Sequence, residues 1–440
     1  MRHEASQAEA QYPRRTYAWG VVVALALTAV LSYTDRQVMS LLVDPIKAAL
    51  HIDDTKMSLL LGTAFAMIYG IVGLPMGWFA DHLSRRNLIL IGIAVWSLGT
   101  IGCGLAHTFG QLCSARVIVG MGEAALSPAA ISLISDLFPA EQRGRAVGVF
   151  FTGICIGIGG SFLIGGMVLS LVHKGLFAFG FLAHSSPWRI VFWVIGGPGL
   201  LWCLALLFVR EPVRHGQTEP AARPTPRPAV DHLSLLRAGP IFATVALASL
   251  VDNGVGAWLP SLLVRRFNEN AASVGLHLGY LLIFAYGGGM LAGGALSDLA
   301  ARLRGSRGKI ELCALASLLI TLAAPVFASS HPLSVMIATG VYFMLSAVVT
   351  ASGLSAILDA TPNSLRGRAM AVSFFLSVAI GAGFGPTAIA LSSSHLFGAA
   401  AGLGPAIALI AGSAFALAIV TSIWAERIHT HHANRIATIQ

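Results

Sequence analysis

Gly77-Trp-Phe-Ala-Asp81-His-Leu-Ser-Arg85 returns 217 residues later as Gly294-Ala-Leu-Ser-Asp298-Leu-Ala-Ala-Arg302, and both read G-x-x-x-D-x-x-x-R. A second pair behaves the same way. Asp136-Leu-Phe-Pro139-Ala-Glu-Gln-Arg143-Gly-Arg145-Ala146 returns 223 residues later as Asp359-Ala-Thr-Pro362-Asn-Ser-Leu-Arg366-Gly-Arg368-Ala369, both D-x-x-P-x-x-x-R-G-R-A. The first pattern ends the second long apolar run of each half. The second pattern lies between the fourth and fifth runs. Two patterns repeated at nearly one offset, in equivalent places, indicate a chain built from two copies of one unit.

Each unit is made of apolar runs. Of 440 residues, 56% are hydrophobic and only 11% charged, against about 25% charged in soluble domains. The chain is therefore expected to be an all-α, polytopic membrane protein. Six spans are expected near 17–42, 56–80, 87–106, 111–136, 144–171 and 188–209, and six more near 240–264, 276–297, 309–328, 333–358, 368–392 and 402–425. The expected domains are a polar N-terminal tail (1–16), a six-helix bundle (17–210), a Pro-rich linker (211–237), a second six-helix bundle (238–425) and a C-terminal tail (426–440). The linker contains Pro-Ala-Ala-Arg-Pro-Thr-Pro-Arg-Pro, too polar to span and too rich in proline for a continuous helix. The first apolar run is too long for a cleavable signal and lacks a small-residue cleavage site. Cys103, Cys113, Cys155, Cys203 and Cys313 are odd in number and lie in or beside apolar runs, which suits neither zinc nor a disulfide framework.

With the N-terminus inside, 20 Lys and Arg residues fall in inside segments. Only Lys47, Lys56, Lys174, Arg189, Arg265 and Arg266 fall outside. This bias predicts cytoplasmic termini and a cytoplasmic linker. It also accounts for the net charge of +9 without a nucleic-acid partner. Six spans per copy give both halves the same orientation, so an axis along the membrane normal relates them, as in transporters that rock about a central site.

Inside the first run, Leu31-Ser-Tyr-Thr-Asp35-Arg36-Gln-Val-Met39 places an acid and a base where the pattern demands apolar side chains. Each charge at mid-bilayer costs about 2.5–3.5 kcal/mol on insertion scales, so these need partners or water. The fourth run offers Arg116 and Glu123, seven apart on one helix face. A carboxylate in a dry cavity is pushed towards its neutral form, and a nearby guanidinium pulls it back. A purely structural ion-pair cluster is the alternative.

Across residues 17–425 the sequence resembles the major facilitator superfamily. The carrying residues are Gly77, Asp81, Arg85 and Arg86, the second copy Gly294, Asp298 and Arg302, and Arg116, Gly120 and Glu123. His82 stands where a fixed base is common, and Ser84 where Gly is common. Within the superfamily, Tyr33-Thr-Asp35-Arg36 and Gly120-Met-Gly-Glu123-Ala are similar to spinster-like transporters. The resemblance implies two pseudo-symmetric six-helix bundles and proton exchange at Asp35 and Glu123, tuned by Arg36 and Arg116. Asp35 is the favoured carrier, because Glu123 shares its face with Arg116.

Asp81, Arg85 and Arg86, with Asp136, read as a cytoplasmic latch. Asp81 would pair with a helix N-terminus, and Arg85 would reach Asp136. Asp298 and Arg302 would repeat it. Asp252-Asn253 is the remaining acid within a run. With Tyr33, Tyr69, Tyr286 and Tyr342 it is a candidate for lining a substrate cavity, against a plain hydrogen-bonded kink or helix packing. Gly153, Gly157, Gly159 and Gly160, and in the partner segment of span eleven Gly381 to Pro386, read as close-packing and rocking surfaces, with Pro386 placed to kink its helix. His429-Thr-His-His432 reads as a solvated tail rather than a metal site.

No Walker loop, nucleophile elbow or catalytic metal spacing occurs, so neither an ATP-driven pump nor an intramembrane enzyme is expected, and no cofactor or metal. The expected function is secondary active transport by proton-coupled alternating access, in a monomer in the bacterial inner membrane. The expected partners are protons, membrane lipids and a small or amphipathic substrate. The spinster resemblance suggests lysophospholipid- or sphingolipid-like cargo. Related bacterial facilitators move organic acids and drugs, and a proton-independent facilitator or a non-transporting receptor of the same fold are the rivals.

Overall fold

The computed structural model describes residues 12–177, 179–212, 214, 232–362, 365–398 and 402–437. Among them, twelve helices are long and apolar enough to cross a membrane. In chain order these are α1 (Arg15–Leu50), α2 (Asp54–Gly73), α3 (Arg85–Leu105), α4 (Phe109–Leu137), α5 (Glu141–His173) and α6 (Pro187–Leu206), then α7 (Gly239–Phe267), α8 (Ala271–Arg304), α9 (Ser306–Ala328), α10 (Pro332–Ala360), α11 (Arg366–Phe397) and α12 (Leu403–Ile428). Helix α2 continues to His82 and α12 to Ala437, so part of the expected C-terminal tail is helical. The Pro-rich run of the expected linker and the side chains of His429, His431 and His432 lie outside the described residues.

Local chemistry fixes the helix ends. Ser84 and Thr108 accept the backbone N–H of Asn87 and Gln111, capping α3 and α4. Pro187, Pro240 and Pro332 lie in the first turns of α6, α7 and α10, where a missing N–H costs nothing. A single residue, Gly305, joins α8 to α9 at φ +65 and ψ −160, a backbone state that essentially only glycine adopts. Leu201, Phe284 and Leu291 are exposed, as expected where hydrocarbon is the solvent. Lipid does not drive apolar faces together, so these helices cohere through close van der Waals packing.

The chain divides into two compact units: Met1–Leu50 with Met67–Arg227, and His51–Ala66 with Pro228–Gln440. In the first, a Cβ on Gly153 would collide with the Ala26 carbonyl oxygen, and one on Gly157 with Tyr33 and Val30. In the second, a Cβ on Gly385 would collide with the Leu250 carbonyl oxygen and one on Gly381 with Ser249. Gly153 and Gly157 thus seat α5 on α1, and Gly381 and Gly385 seat α11 on α7, each within its own copy of the repeat, whereas a Cβ on Gly160 would meet nothing.

Residues 51–66 were expected in the bundle 17–210 but pack in the second unit. Arg265 donates from Nη1 and Nη2 to the two carboxylate oxygens of Asp54, each at 2.9 Å. Thr63 donates to the Gly383 carbonyl at 2.8 Å and Ser58 to the Thr387 hydroxyl at 3.2 Å. Pro386 has no N–H to offer the Ala382 carbonyl four residues earlier. A π-helical stretch, Ser377–Ala382, precedes it, and Gly62 lies hard against that carbonyl.

Candidate functional site

Both charge-bearing spans of the first unit are interrupted where the charges sit. Helix α1 is regular through Gln37 and then tightens into a 3-10 turn over Val38–Leu42, leaving Asp35 and Arg36 in the last regular turn. Helix α4 breaks after Glu123 and resumes at Leu126. Gly122, without a side chain, presses there against the backbone of Gly92 and Trp96 on α3. Broken helices at mid-membrane are where transporters bind ions and substrates.

Three of the four charges are buried and Arg36 is half-buried. Relative exposure is 3% for Asp35, 1% for Arg116 and 1% for Glu123. Arg36 donates from Nε at 3.1 Å and from Nη2 at 2.8 Å to Glu123 Oε2. Its guanidinium lies 4.7 Å from the Tyr33 ring centroid and 4.9 Å from that of Tyr69, within cation–π range. Arg116 donates to the Arg36 carbonyl at 3.4 Å. The arginine that reaches Glu123 is therefore Arg36 across the helix pair, not Arg116 on the same face, because seven residues of helix rise about 10.5 Å. Asp35 takes part in no ion pair among the described residues, and its Oδ1 is buried without a hydrogen-bond partner.

A second cluster surrounds Arg85 at the start of α3. Its Nη1 donates to Asp136 Oδ2 and, at 3.2 Å, to the Ser132 carbonyl. Its Nε donates to Glu211 Oε1 at 2.7 Å. Glu211 also accepts the backbone N–H of Arg85 (3.2 Å) and of Arg86 (2.9 Å) and the Ser84 hydroxyl (2.9 Å). Burial opposes ionisation of this carboxyl. The N–H of Arg86, the Arg85 side chain, the Ser84 hydroxyl and the Arg85 charge outweigh it and hold Glu211 below its ordinary range. Glu211 is thus the second anion on Arg85 and the carboxylate at the start of α3. Asp81 is exposed and lines, with His82, Leu83, Ser84, Glu211 and Arg214, a pocket of about 360 Å³. Arg86 donates to the Val209 carbonyl at 3.3 Å and so anchors the end of α6. The overlooked signal for Glu211 was an acid set one residue beyond Arg210, at the end of an apolar run.

In the second unit, Asp298 and Arg302 are exposed, and neither makes a hydrogen bond or ion pair among the described residues. The cation meeting Asp359 is Lys309, at 2.5 Å. Lys309 Nζ also donates to Ser355 at 2.9 Å, and Ser306 donates to Asp359 Oδ2 at 3.2 Å. The change of offset from 217 to 223 between the two repeated patterns explains this. Arg302 stands 57 residues before Asp359, six more than separate Arg85 from Asp136, so Arg302 rides on α8 and the position in the first turn of the next helix passes to Lys309.

Asp252, on the uninterrupted α7, accepts hydrogen bonds at one oxygen, Oδ1, from Tyr342 at 2.7 Å and Ser346 at 2.6 Å. Asn253 turns its amide nitrogen to the Ser249 carbonyl at 2.9 Å. The Tyr286 ring meets Phe343 edge-on at 6.3 Å. Of the cavity candidates, Tyr33 and Tyr69 belong to the Arg36 cluster of the first unit, whereas Asp252, Asn253, Tyr286 and Tyr342 belong to the second.

A sequence profile described as Major Facilitator Superfamily matches residues 25–386. Protein spinster homolog 1 of Rattus norvegicus is 30% identical over 254 residues, 56% of this chain and 46% of that protein. The chain thus spans about half the length of the spinster relatives it matches. A probable L-galactonate transporter of Escherichia coli strain K12 is 28% identical over 292 residues, 63% of this chain and 61% of that one. Among solved structures, a bacterial homologue of the human lysosomal transporter spinster, in an inward-facing and occupied conformation, superposes with a TM-score of 0.78 at 22% identity, covering 96% of this chain and 98% of that one.

Proposed function

The chain belongs to the Major Facilitator Superfamily, and from that premise we propose that this spinster-like secondary transporter of twelve spans is driven by protons taken up at Asp35. The observation that carries the proposal is the unequal treatment of two buried carboxylates. Glu123 is committed to Arg36 through two hydrogen bonds. Each carboxylate keeps one buried oxygen with no donor, Oδ1 of Asp35 and Oε1 of Glu123, but Asp35 has no ion pair among the described residues. A proton taken on at Asp35 therefore neutralises no paired charge. Protonating Glu123 would instead take the charge from its ion pair with Arg36. Arg36 and Arg116 then tune the site, and Glu123 follows Asp35 in a coupled step.

The basic residues support cytoplasmic termini, as expected in a bacterial inner membrane. In that orientation Arg85, Asp136 and Glu211, and in the second half Lys309 and Asp359, lie at the cytoplasmic side. There they serve as the latch released when that side opens. The cargo is a small or amphipathic molecule. The spinster likeness supports an amphipathic cargo, and the likeness to the galactonate transporter supports a small organic acid.

Proteoliposomes loaded with a pH-sensitive dye test the coupling. A panel of amphipathic amines, organic acids and lysolipids is added outside, and proton movement is followed. At least one solute is expected to move protons with the wild type and not with Asp35→Asn, which should still exchange that solute. Solute flux with the same proton movement in Asp35→Asn would overturn the assignment. Solute flux without any proton movement in the wild type would point to a proton-independent facilitator.

A further inference from the structure

Resting on the transport reading above, we propose that Asp252 is a substrate-binding carboxylate of the second unit, and that the group it receives is a protonated amine.

The two oxygens of Asp252 are treated differently. Oδ1 is clamped by two hydroxyl donors at 2.7 and 2.6 Å. Both donors come from α10, where Tyr342 and Ser346 lie one helical turn apart and are buried. The two helices therefore fix the plane of the carboxylate. Oδ2 accepts no hydrogen bond, and it is absent from the buried polar atoms that lack a partner, unlike Asp35 Oδ1 and Glu123 Oε1. It is a held acceptor that remains accessible.

The neighbouring residue adds a second acceptor. Asn253 Nδ2 faces the Ser249 carbonyl at 2.9 Å and the Ser249 hydroxyl at 3.3 Å. A carbonyl accepts only, so the amide orientation is fixed by chemistry. Asn253 Oδ1 then receives no donor among the described residues and, like Asp252 Oδ2, is not sealed from solvent. Two accessible acceptors sit side by side, and among the described residues no cationic side chain pairs with Asp252.

A kink-forming hydrogen bond would use the Asp252 side chain on its own helix, yet its partners are across the helix pair. A plain interhelical clamp needs no charge, and an asparagine or serine would serve. What a carboxylate adds is an anion with one free oxygen, and its complement is an N–H of an ammonium group. Tyr342 packs edge-on against Phe343 at 4.9 Å, and Phe343 against the half-buried Tyr286 at 6.3 Å. The carboxylate thus ends a run of aromatic rings in which Tyr342 and Phe343 are buried and Tyr286 is half-buried, a polar anchor in apolar surroundings that suits an amine carrying a hydrocarbon portion.

The test uses three probes with one tail: dodecylamine, dodecanol and lauric acid. Each is titrated into the full-length protein in nanodiscs, and affinity is read from the concentration dependence of the melting temperature. Dodecylamine is expected to stabilise the wild type at lower concentration than the other two. Asp252→Asn should weaken the amine about tenfold or more, the scale of one charge-assisted hydrogen bond, and leave the other two unchanged. Asp252→Glu, which keeps the charge, should recover part of the affinity, and serves if Asp252→Asn does not fold. Equal responses to the three probes, or an amine response untouched by Asp252→Asn and Asp252→Glu, would overturn the proposal. Asp35→Asn should bind the amine as the wild type does. If binding depends on Asp252 but proton flux in dye-loaded vesicles is the same with and without Asp35, the coupling reading fails while this inference stands.

Discussion

The two halves share one architecture and divide its chemistry unequally. In the first, three buried charges and the half-buried Arg36 gather on α1 and α4, which both lose helical regularity beside them. In the second, α7 and α10 run unbroken, and one carboxylate is held by two hydroxyls. Duplication preserved the framework, visible in α5 seated on α1 and α11 on α7. The charges did not need to be duplicated with it. A transporter that couples protons to cargo needs one titrating centre and one recognition centre, and a repeat provides two positions that can diverge.

The sharpest way to break this comparison is to exchange the roles. Asp35→Asn should abolish gradient-driven transport, a loss of about a hundredfold or more, while Asp252→Asn should alter the concentration dependence and leave the proton-to-solute ratio intact. Flux at several external pH values measures both. A changed ratio in Asp252→Asn would make the second half a coupling site as well.

Next in size is Arg36→Ala. It strands Glu123 in the protein interior and should cost about 3–5 kcal/mol, seen as a large fall in melting temperature. Arg36→Ala with Glu123→Gln should recover much of it, because position 123 then carries no charge to strand. Failure of the double variant to recover would show that Arg36 acts through packing on Tyr33 and Tyr69 instead.

The ends of the spans give a smaller effect. Glu211→Gln should cost about 1–3 kcal/mol and Asp81→Ala distinctly less, because Arg85 is held by Asp136 and Glu211. Denaturation of both variants in detergent measures the ranking, and a larger loss for Asp81→Ala would restore Asp81 to the latch. Glu211 is held below the ordinary carboxylate range, so its contribution is complete above the unfolded value, about 4.3, and is lost as pH falls through the lower folded value. Acid titration of wild type against Glu211→Gln should show the two converge only in that acidic window. The smallest effect belongs to Arg302→Ala, expected to leave the melting temperature unchanged, whereas Lys309→Met should lower it. A drop for Arg302→Ala would return that residue to the pairing with Asp359.

The sequence carried the fold because period, length and charge bias are properties of the chain alone. Twelve apolar runs and two repeated patterns suffice for it. The residues of the charged centre were legible too, since a charge in an apolar run has few explanations. Pairing was not. The choice of Arg36 over Arg116 for Glu123 depends on helix rise and on a break at Ala124 that no proline announces. Glu211 is 126 residues from Arg85 and repeats in no pattern. The placing of residues 51–66 with the second unit depends on contacts distant in sequence, Arg265 with Asp54 and Thr63 with the Gly383 carbonyl. The shift from Arg302 to Lys309 was in principle readable, as six residues of difference between two offsets.

One consequence of the rings about Arg36 concerns ionic strength. Its guanidinium is bounded by Tyr33, Tyr69 and the Glu123 carboxylate, with no layer of mobile ions between them. Counterions weaken charges they can surround, and at 0.1 M salt they do so over about 10 Å of water. Arg304 at the end of α8 and Glu311 in α9, paired at 2.7 Å across the Gly305 joint, are open to that atmosphere. Salt will therefore loosen the periphery of the molecule and leave its charged interior as it was, so the centre works alike in dilute and concentrated media.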